Sequence, residues 1–406
     1  MRTRRPGSGG RGNRVNLHTK AVHAGERKKA IAQTPVTTPI YNASSYSCDS
    51  MAQLDRIFGR EEAGYCYARY DNPTNAALEE QVTALENGYG SLACASGMLA
   101  LEVALSTALV DRRKSIVAAD ALYGASVGLL MNVFEPRGVS VRFADVCDLE
   151  AFGAAVREAR PGAILMESIS NPLLRVGQID RVAQMARETG AALIVDNTFG
   201  TPLLVRPLEL GAHFSVHSLT KFLSGHGDVL GGVVVSDEEH YEALRRLSRT
   251  VGPVLGPFES YLAMRGIKTF PLRMERQCAN ARAVADWLAA HGRVERVYFT
   301  GDPAHPDADT IRRLFPDGLY GAMVSFEVRG AGKAEIFEFM DRLKTIVRAT
   351  SLGDVHSMML YPAMSSHREL SPKHRARLGI RDNLVRLSVG IEAAEDIIED
   401  LAGALG

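Results

Sequence analysis

Between residues 115 and 235 the chain alternates short apolar runs with polar or amphipathic stretches, and this alternation constrains the fold more than any other feature. The apolar runs are Ser115–Ala119, Val139–Ala144, Ala163–Glu167, Ala191–Asp196, His213–His217 and Gly231–Val235. Each is too short for a stable helix and suits a short apolar strand. Between two of them, Ile179, Val182, Ala183 and Ala186 fall at i, i+3, i+4 and i+7, the stripe of an amphipathic helix. Strands separated by helices predict an α/β fold with a mostly parallel sheet covered on both faces. In such sheets ligands bind beyond the carboxyl ends of the strands. Glu167-Ser-Ile-Ser-Asn171 and Asp196-Asn197 stand at two of those ends.

The flanking regions follow other patterns. Residues 1–16 are basic and Gly-rich and read as a disordered arm without the apolar core of a signal peptide. Residues 17–66 read as an extended arm against a partner subunit. In Thr34-Pro-Val-Thr-Thr-Pro-Ile-Tyr41 each proline forces its predecessor out of helical geometry. A large domain is expected over 67–262, opening with helical periodicity at Leu78, Val82 and Leu85 and a second helical run from Met98 to Leu109. The alternation stops around Pro253–Met264. A long polar helix from Met274 to about His291, a strand at Ala322–Val328 and helices at Lys333–Leu343 and Ala393–Leu405 predict a smaller α+β domain over 263–406.

Composition excludes several function classes. The 47 Lys and Arg are balanced by 47 Asp and Glu, so no global basic field draws in nucleic acid. No apolar stretch is long enough to span a bilayer. Cys48, Cys66, Cys94, Cys147 and Cys278 show no metal-ligand spacing and read as free thiols of a cytoplasmic protein. No metal site is expected, and the dispersed His217, His226 and His367 read as structural.

Chemistry concentrates in Ser218-Leu-Thr220-Lys221, just after the run ending in Asp196. A lysine amine, two hydroxyls and a carboxylate are what pyridoxal 5′-phosphate (PLP) needs: an amine to bond the aldehyde, hydroxyls for the phosphate, and a carboxylate for the pyridine nitrogen. Alone, Lys221 is an ordinary lysine and Asp196-Asn197-Thr198 an ordinary turn; their conjunction carries the reading. Ala95-Ser96-Gly97-Met98 precedes a helix and is either a phosphate seat made of free N–H groups or a tight helix start. Tyr123 is either a ring-stacking residue or a core tyrosine. Glycines 225, 227, 231 and 232 do not open a helix after a strand, so dinucleotide binding is discounted.

Tyr67-Ala-Arg69-Tyr-Asp-Asn72-Pro73-Thr74, Ala95-Ser-Gly97-Met98, Tyr123-Gly124, Asp196-Asn-Thr198, Ser218-Leu-Thr220-Lys221-Phe-Leu-Ser-Gly-His-Gly-Asp228, Ser351-Leu-Gly353 and Leu384-Val-Arg386-Leu-Ser-Val-Gly390 together resemble the Cys/Met-metabolism family of PLP enzymes. The motifs run in family order from about residue 17 to the C-terminus. The resemblance implies an aspartate-aminotransferase-like (fold type I) large domain and a homotetramer of dimers with shared sites. It makes Lys221 the Schiff-base lysine and proton shuttle, Asp196 the partner of the pyridine nitrogen, and Tyr123 the residue stacked on the ring. Gly97, Met98, Ser218 and Thr220 hold the phosphate. Tyr67 and Arg69 reach into the neighbouring subunit's site, Arg69 toward the phosphate and Tyr67 toward the leaving group. Arg386 grips the substrate carboxylate, with Ser351 and Asn171 assisting; without the surrounding match it would be read as a surface ion pair.

The implied activity is a carbon–sulfur γ-lyase acting on cystathionine or methionine, releasing 2-oxobutanoate, ammonia and a thiol. The runner-up is a γ-replacement enzyme, a cystathionine γ-synthase or O-acetylhomoserine sulfhydrylase. Asp354 and Ser224-Gly-His-Gly-Asp228 resemble methionine γ-lyases or sulfhydrylases. Ala125 stands where many methionine γ-lyases place cysteine, and Thr350 where eukaryotic cystathionine γ-lyases place glutamate. Tyr361-Pro-Ala-Met-Ser-Ser366-His367-Arg368 also departs from the family's usual Met-Thr-His-Ala. A PLP-binding scaffold without turnover is the reading from another class, and intact Lys221, Asp196, Tyr67, Tyr123 and Arg386 speak against it.

Overall fold

The structure is a computed structural model that describes residues 33–110, 113–365, 368, 375–376 and 378–406. The expected basic arm, the extended arm through residue 32, and Ser366 and His367 lie outside the described residues. The chain divides into a unit at Met1–Pro39 and another at Ile40–Gly406. Residues 33–39 carry no helix or strand; the second unit holds all that follows.

A seven-stranded sheet forms the larger layer: β1 (Gly90–Cys94), β2 (Ser115–Ala119), β3 (Ser140–Ala144), β4 (Ala163–Glu167), β5 (Ala192–Asp196), β6 (Phe214–Ser218) and β7 (Gly232–Ser236). Its spatial order is β1-β7-β6-β5-β4-β2-β3. Strands β3 to β6, with β2, pair in parallel, and β7 runs antiparallel to both neighbours. This is the α/β architecture the alternation predicts. Strand β4 is buried at every residue, the consequence of helices on both faces. The predicted stripe Ile179, Val182, Ala183 and Ala186 is the buried face of helix Ile179–Thr189, which stops at Gly190 in left-handed geometry.

Sequence patterning misses β1. Gly90-Ser-Leu-Ala-Cys94 lacks β-branched residues, and its strand state comes from pairing with β7. Helices Met51–Phe58, Glu238–Val251 and Pro257–Ile267 are likewise additional to those read from periodicity.

Five further strands, β8 (Val294–Tyr298), β9 (Met323–Val328), β10 (Val347–Arg348), β11 (Met358–Leu360) and β12 (Leu384–Ser388), form a second sheet in the order β10-β11-β12-β9-β8. Helix Phe270–Ala290 joins the two layers. Its Met274 and Cys278 belong to the core of the large sheet, while Ala281, Val284, Ala285 and Leu288 belong to the core of the small one. The second sheet is thereby held where β12 faces the carboxyl ends of β4 to β6. Among the described residues no helix is long and apolar enough to cross a membrane. All five cysteines are free thiols.

Candidate active site

Three adjacent parallel strands end together and build the floor of a cavity. Glu167 at the end of β4 is the register partner of Asp196 on β5, and Asp196 is the partner of Val216 on β6. The Asp196 carboxylate accepts the Thr198 N–H at 3.0 Å. Burial still pushes its pKa above the usual carboxylate range, against the hydrogen bonds of Thr198 and the field of His217. His217 itself is locked beneath the floor: its Nε2 lies 2.5 Å from Oε1 of the fully buried Glu86.

Lys221 lies in the turn after β6, where backbone bonds from Lys221 to the Ser218 carbonyl and from Gly225 to the Lys221 carbonyl set its position. Arg273 reaches in from helix Phe270–Ala290 and donates to the carbonyls of Phe222 and Leu223 at 2.9 and 3.0 Å. Across the turn, Gly353 has φ +75, and a Cβ there would sit 2.5 Å from the Phe222 nitrogen. Only glycine admits both the left-handed backbone and the close approach. The Lys221 ammonium donates to Ser351 Oγ at 3.0 Å. Burial, and then the charge of Arg386, lowers the Lys221 pKa from its ordinary value, the shift a proton-moving amine needs.

One wall is the start of helix Gly97–Leu109. Ser96 caps it by accepting the Leu99 N–H at 3.1 Å, and the Ala100 N–H returns to the Ser96 carbonyl. The N–H groups of Gly97 and Met98 remain for a ligand, at the positive end of the helix dipole. A Cβ on Gly97 would lie 2.9 Å from Ser218 Cβ, so the helix start and the end of β6 are in direct contact. Thr220 lines the same cavity, with its hydroxyl accepting the Gly231 N–H at 3.1 Å.

The opposite wall comes from the second sheet. Arg386 on β12 is 2% exposed. Its Nη1 donates to Asn171 Oδ1 at 2.9 Å and its Nη2 to the Ser351 carbonyl at 3.2 Å. Its Nε is buried without a partner, and burial pushes its pKa down to about 10. A desolvated guanidinium with an unused N–H is a seat for a carboxylate. The cavity measures about 490 Å³ and is completed by apolar residues including Ile169, Phe199, Leu352 and Leu360.

Most residues predicted for the site line this one cavity: Gly97, Met98, Tyr123, Asn171, Asp196, Ser218, Thr220, Lys221 and Arg386, with Ser351 bonded to Lys221 at its edge. Tyr67 and Arg69 do not. Tyr67 is 43% exposed, and Arg69 packs on the rings of Tyr67 and Tyr70 and donates to the Arg249 carbonyl. Sequence reasoning misses Arg273, the approach of Gly353 to the Lys221 turn and the pairing of Glu167 with Asp196, because these contacts join segments far apart in the chain. The cavity residues fit PLP: a desolvated amine, a buried carboxylate and a cramped helix N-terminus converge on one space. Among the described residues no group of three or more His, Cys, Asp or Glu side chains is placed to hold a metal ion.

Comparisons with known proteins agree with this geometry. A family model described as Cys/Met metabolism PLP-dependent enzyme matches residues 18–406. An L-methionine gamma-lyase of Fusobacterium nucleatum is 40% identical over 96% of this chain and 98% of its own length. Cystathionine gamma synthase from Xanthomonas oryzae pv. oryzae, solved in complex with cystathionine, superposes with a TM-score of 0.85 at 36% identity, covering 91% of this chain and 92% of that one. A Campylobacter jejuni structure at 25% identity and TM-score 0.86, covering 93% of this chain and 97% of its own, carries N′-pyridoxyl-lysine-5′-monophosphate.

Proposed function

The chain belongs to the Cys/Met metabolism PLP-dependent enzyme family, and from that premise we propose that it is a carbon–sulfur lyase. The reaction is α,γ-elimination on L-methionine or L-cystathionine with uptake of one water, giving 2-oxobutanoate, ammonia and a thiol. Bound in this cavity, PLP supplies the electron sink that stabilises negative charge at the substrate Cα. Lys221 takes the Cα proton and returns it further along the substrate, its amine eased toward the neutral form by burial. Asp196 keeps a negative charge at the floor. Gly97, Met98, Ser218 and Thr220 would hold the phosphate, and Tyr123 would cover the ring. Arg386 binds the substrate carboxylate through its unused Nε, with Asn171 and Ser351 fixing the guanidinium plane.

One observation carries the reading. A desolvated amine and a desolvated guanidinium are joined through Ser351, whose hydroxyl accepts from Lys221 and whose carbonyl accepts from Arg386. The pair brackets an α-amino acid between proton acceptor and carboxylate clamp. Away from Arg386 and Lys221 the cavity offers Leu230, Thr350, Leu352, Leu360 and Ser365. Among the described residues of that wall no charge awaits a second carboxylate, which favours the methyl thioether of methionine over cystathionine.

Tyr67 and Arg69 act in the site of a neighbouring copy, Arg69 on the phosphate and Tyr67 on the leaving group, within a homotetramer of dimers in the cytoplasm. Exposed Ile40, Tyr41, Met51 and Phe58 around them support burial against a second chain. The second reading, γ-replacement, draws on the likeness to the Xanthomonas synthase. Incubating PLP-loaded protein with L-methionine and with L-cystathionine and identifying the α-keto acid separates the two. 2-Oxobutanoate from either supports elimination; no keto acid, with 2-oxobutanoate absent even at long times, overturns it in favour of replacement.

A further inference from the structure

Glu167 is the one buried acid of the cavity to which the reaction above gives no task. It is 9% exposed, and its Oε1 accepts the Tyr123 N–H at 2.6 Å. As register partners on adjacent parallel strands, Glu167 and Asp196 project from the same face of the sheet, about one strand spacing (roughly 4.8 Å) apart at the backbone. Two carboxyls so placed cannot both ionise without strong repulsion. Asp196 has the better claim to the charge, since the Thr198 hydroxyl and N–H and the field of His217 all favour its ionised form.

We propose that Glu167 is a positioning residue that works in its neutral form: its carboxyl tethers the Tyr123 segment over the cavity and leaves Asp196 as the single negative charge of the floor. The proposal rests on this cavity being the PLP site and not on which sulfur compound is cleaved.

Other charged groups around Glu167 leave this assignment in place. In the cavity, Lys221 and Arg386 are the cations, and they bond to Ser351 and Asn171. Behind Glu167 lies a second cavity of about 630 Å³, onto which Asp120, Asp145, Arg175 and His305 also open, so Glu167 and Asn171 form the partition between the two. Arg175 is engaged by Asp307 through two bonds of 2.7 and 2.9 Å. Burial lowers the His305 pKa, which keeps that ring neutral. Arg296 stacks over the Tyr298 ring and Glu295 pairs with Arg381, while the other acids on that side, Asp120, Asp145 and Asp302, add negative charge and further disfavour a second carboxylate. Burial, followed by the charge of Asp196, pushes the Glu167 pKa up to about 8, against the N–H groups of Tyr123 and Asn171.

The test compares the PLP-loaded protein with its Glu167→Gln and Glu167→Ala variants. Infrared spectra near neutral pH are expected to contain a protonated-carboxyl stretch that is missing from Glu167→Gln and titrates away near pH 8 in the unaltered protein. Glutamine keeps an acceptor for the Tyr123 N–H, so kcat is expected within about threefold of the parent, whereas alanine loses about tenfold. An alkaline step near pH 8 in the kcat profile is expected in the parent and absent from Glu167→Gln. Coincident infrared spectra of parent and Gln variant, or equal losses in the Gln and Ala variants, overturn the proposal. The infrared arm needs no turnover, so its failure is distinguishable from failure of the elimination reading.

Discussion

Asp196, Ser218 and Lys221 stand at or just beyond the ends of buried strands paired on both sides at the centre of the sheet. Tyr67 and Arg69 stand on a segment held by an isolated bridge between Ser45 and Tyr67 and by bonds to Arg245 and the Arg249 carbonyl, beside helix Met51–Phe58, which has no buried residue. The first region is over-determined: Arg273, Gly353 and the register of β4 to β6 all fix the same turn. The second leaves Met51 78% and Phe58 55% exposed. One chain's own fold positions the floor, while the arm carries apolar surface that only another surface can cover. Mutations in the floor should therefore damage chemistry outright, and mutations in the arm should act through assembly and cofactor retention.

The largest effect expected is from Lys221→Ala. Loss of the amine should abolish the visible band of the lysine-bound cofactor and lower 2-oxobutanoate release on the order of 10³-fold. A variant that keeps turnover within about tenfold of the parent would break the assignment of the floor. Next comes Arg386→Leu, which should raise KM for L-methionine on the order of 100-fold by removing the desolvated guanidinium that holds the carboxylate. A change confined to kcat would instead place the carboxylate elsewhere. Arg69→Ala should weaken PLP retention about tenfold, measured by dialysis and cofactor fluorescence. Unchanged retention would separate the arm from the phosphate.

The smallest effect concerns stability against pH. Burial and the nearby Asp196 charge raise the Glu167 pKa from its ordinary value of 4.5 to about 8 in the folded chain. The folded state therefore holds a proton that the unfolded chain releases over that window. Stability from this group is full at low pH and falls as pH rises from about 4.5 to about 8, then levels off. Urea unfolding midpoints across that range should show a shallower decline in Glu167→Gln; identical slopes would mean the carboxyl is ionised throughout.

The difference between floor and arm also marks what the sequence makes legible. Ser115–Ala119 and Ala163–Glu167 emerge with the predicted ends, because a run of buried aliphatics bounded by polar residues has few other uses in an α/β chain. The floor residues follow, since strand ends announce the ligand side of the sheet. Strand β1 does not, because its small residues become a strand only by lying against β7. Arg273 sits in a helix of mixed polarity with nothing local to distinguish it from its neighbours, and its task exists only where that helix meets the Lys221 turn. The neutral role of Glu167 is hidden for the same reason: Asp196 is far away in sequence and adjacent across the sheet.

The most direct measurement co-expresses Lys221→Ala with Tyr67→Phe and assays the purified mixture for 2-oxobutanoate release from L-methionine. Each variant alone should be inactive or strongly impaired. In a hybrid dimer one site would combine the intact Lys221 of one chain with the intact Tyr67 of the other, restoring roughly a quarter of full activity for random pairing in a two-fold assembly. A mixture no more active than its parents, from protein shown to contain hybrids, would contradict a cavity whose floor comes from one chain and whose arm comes from the next.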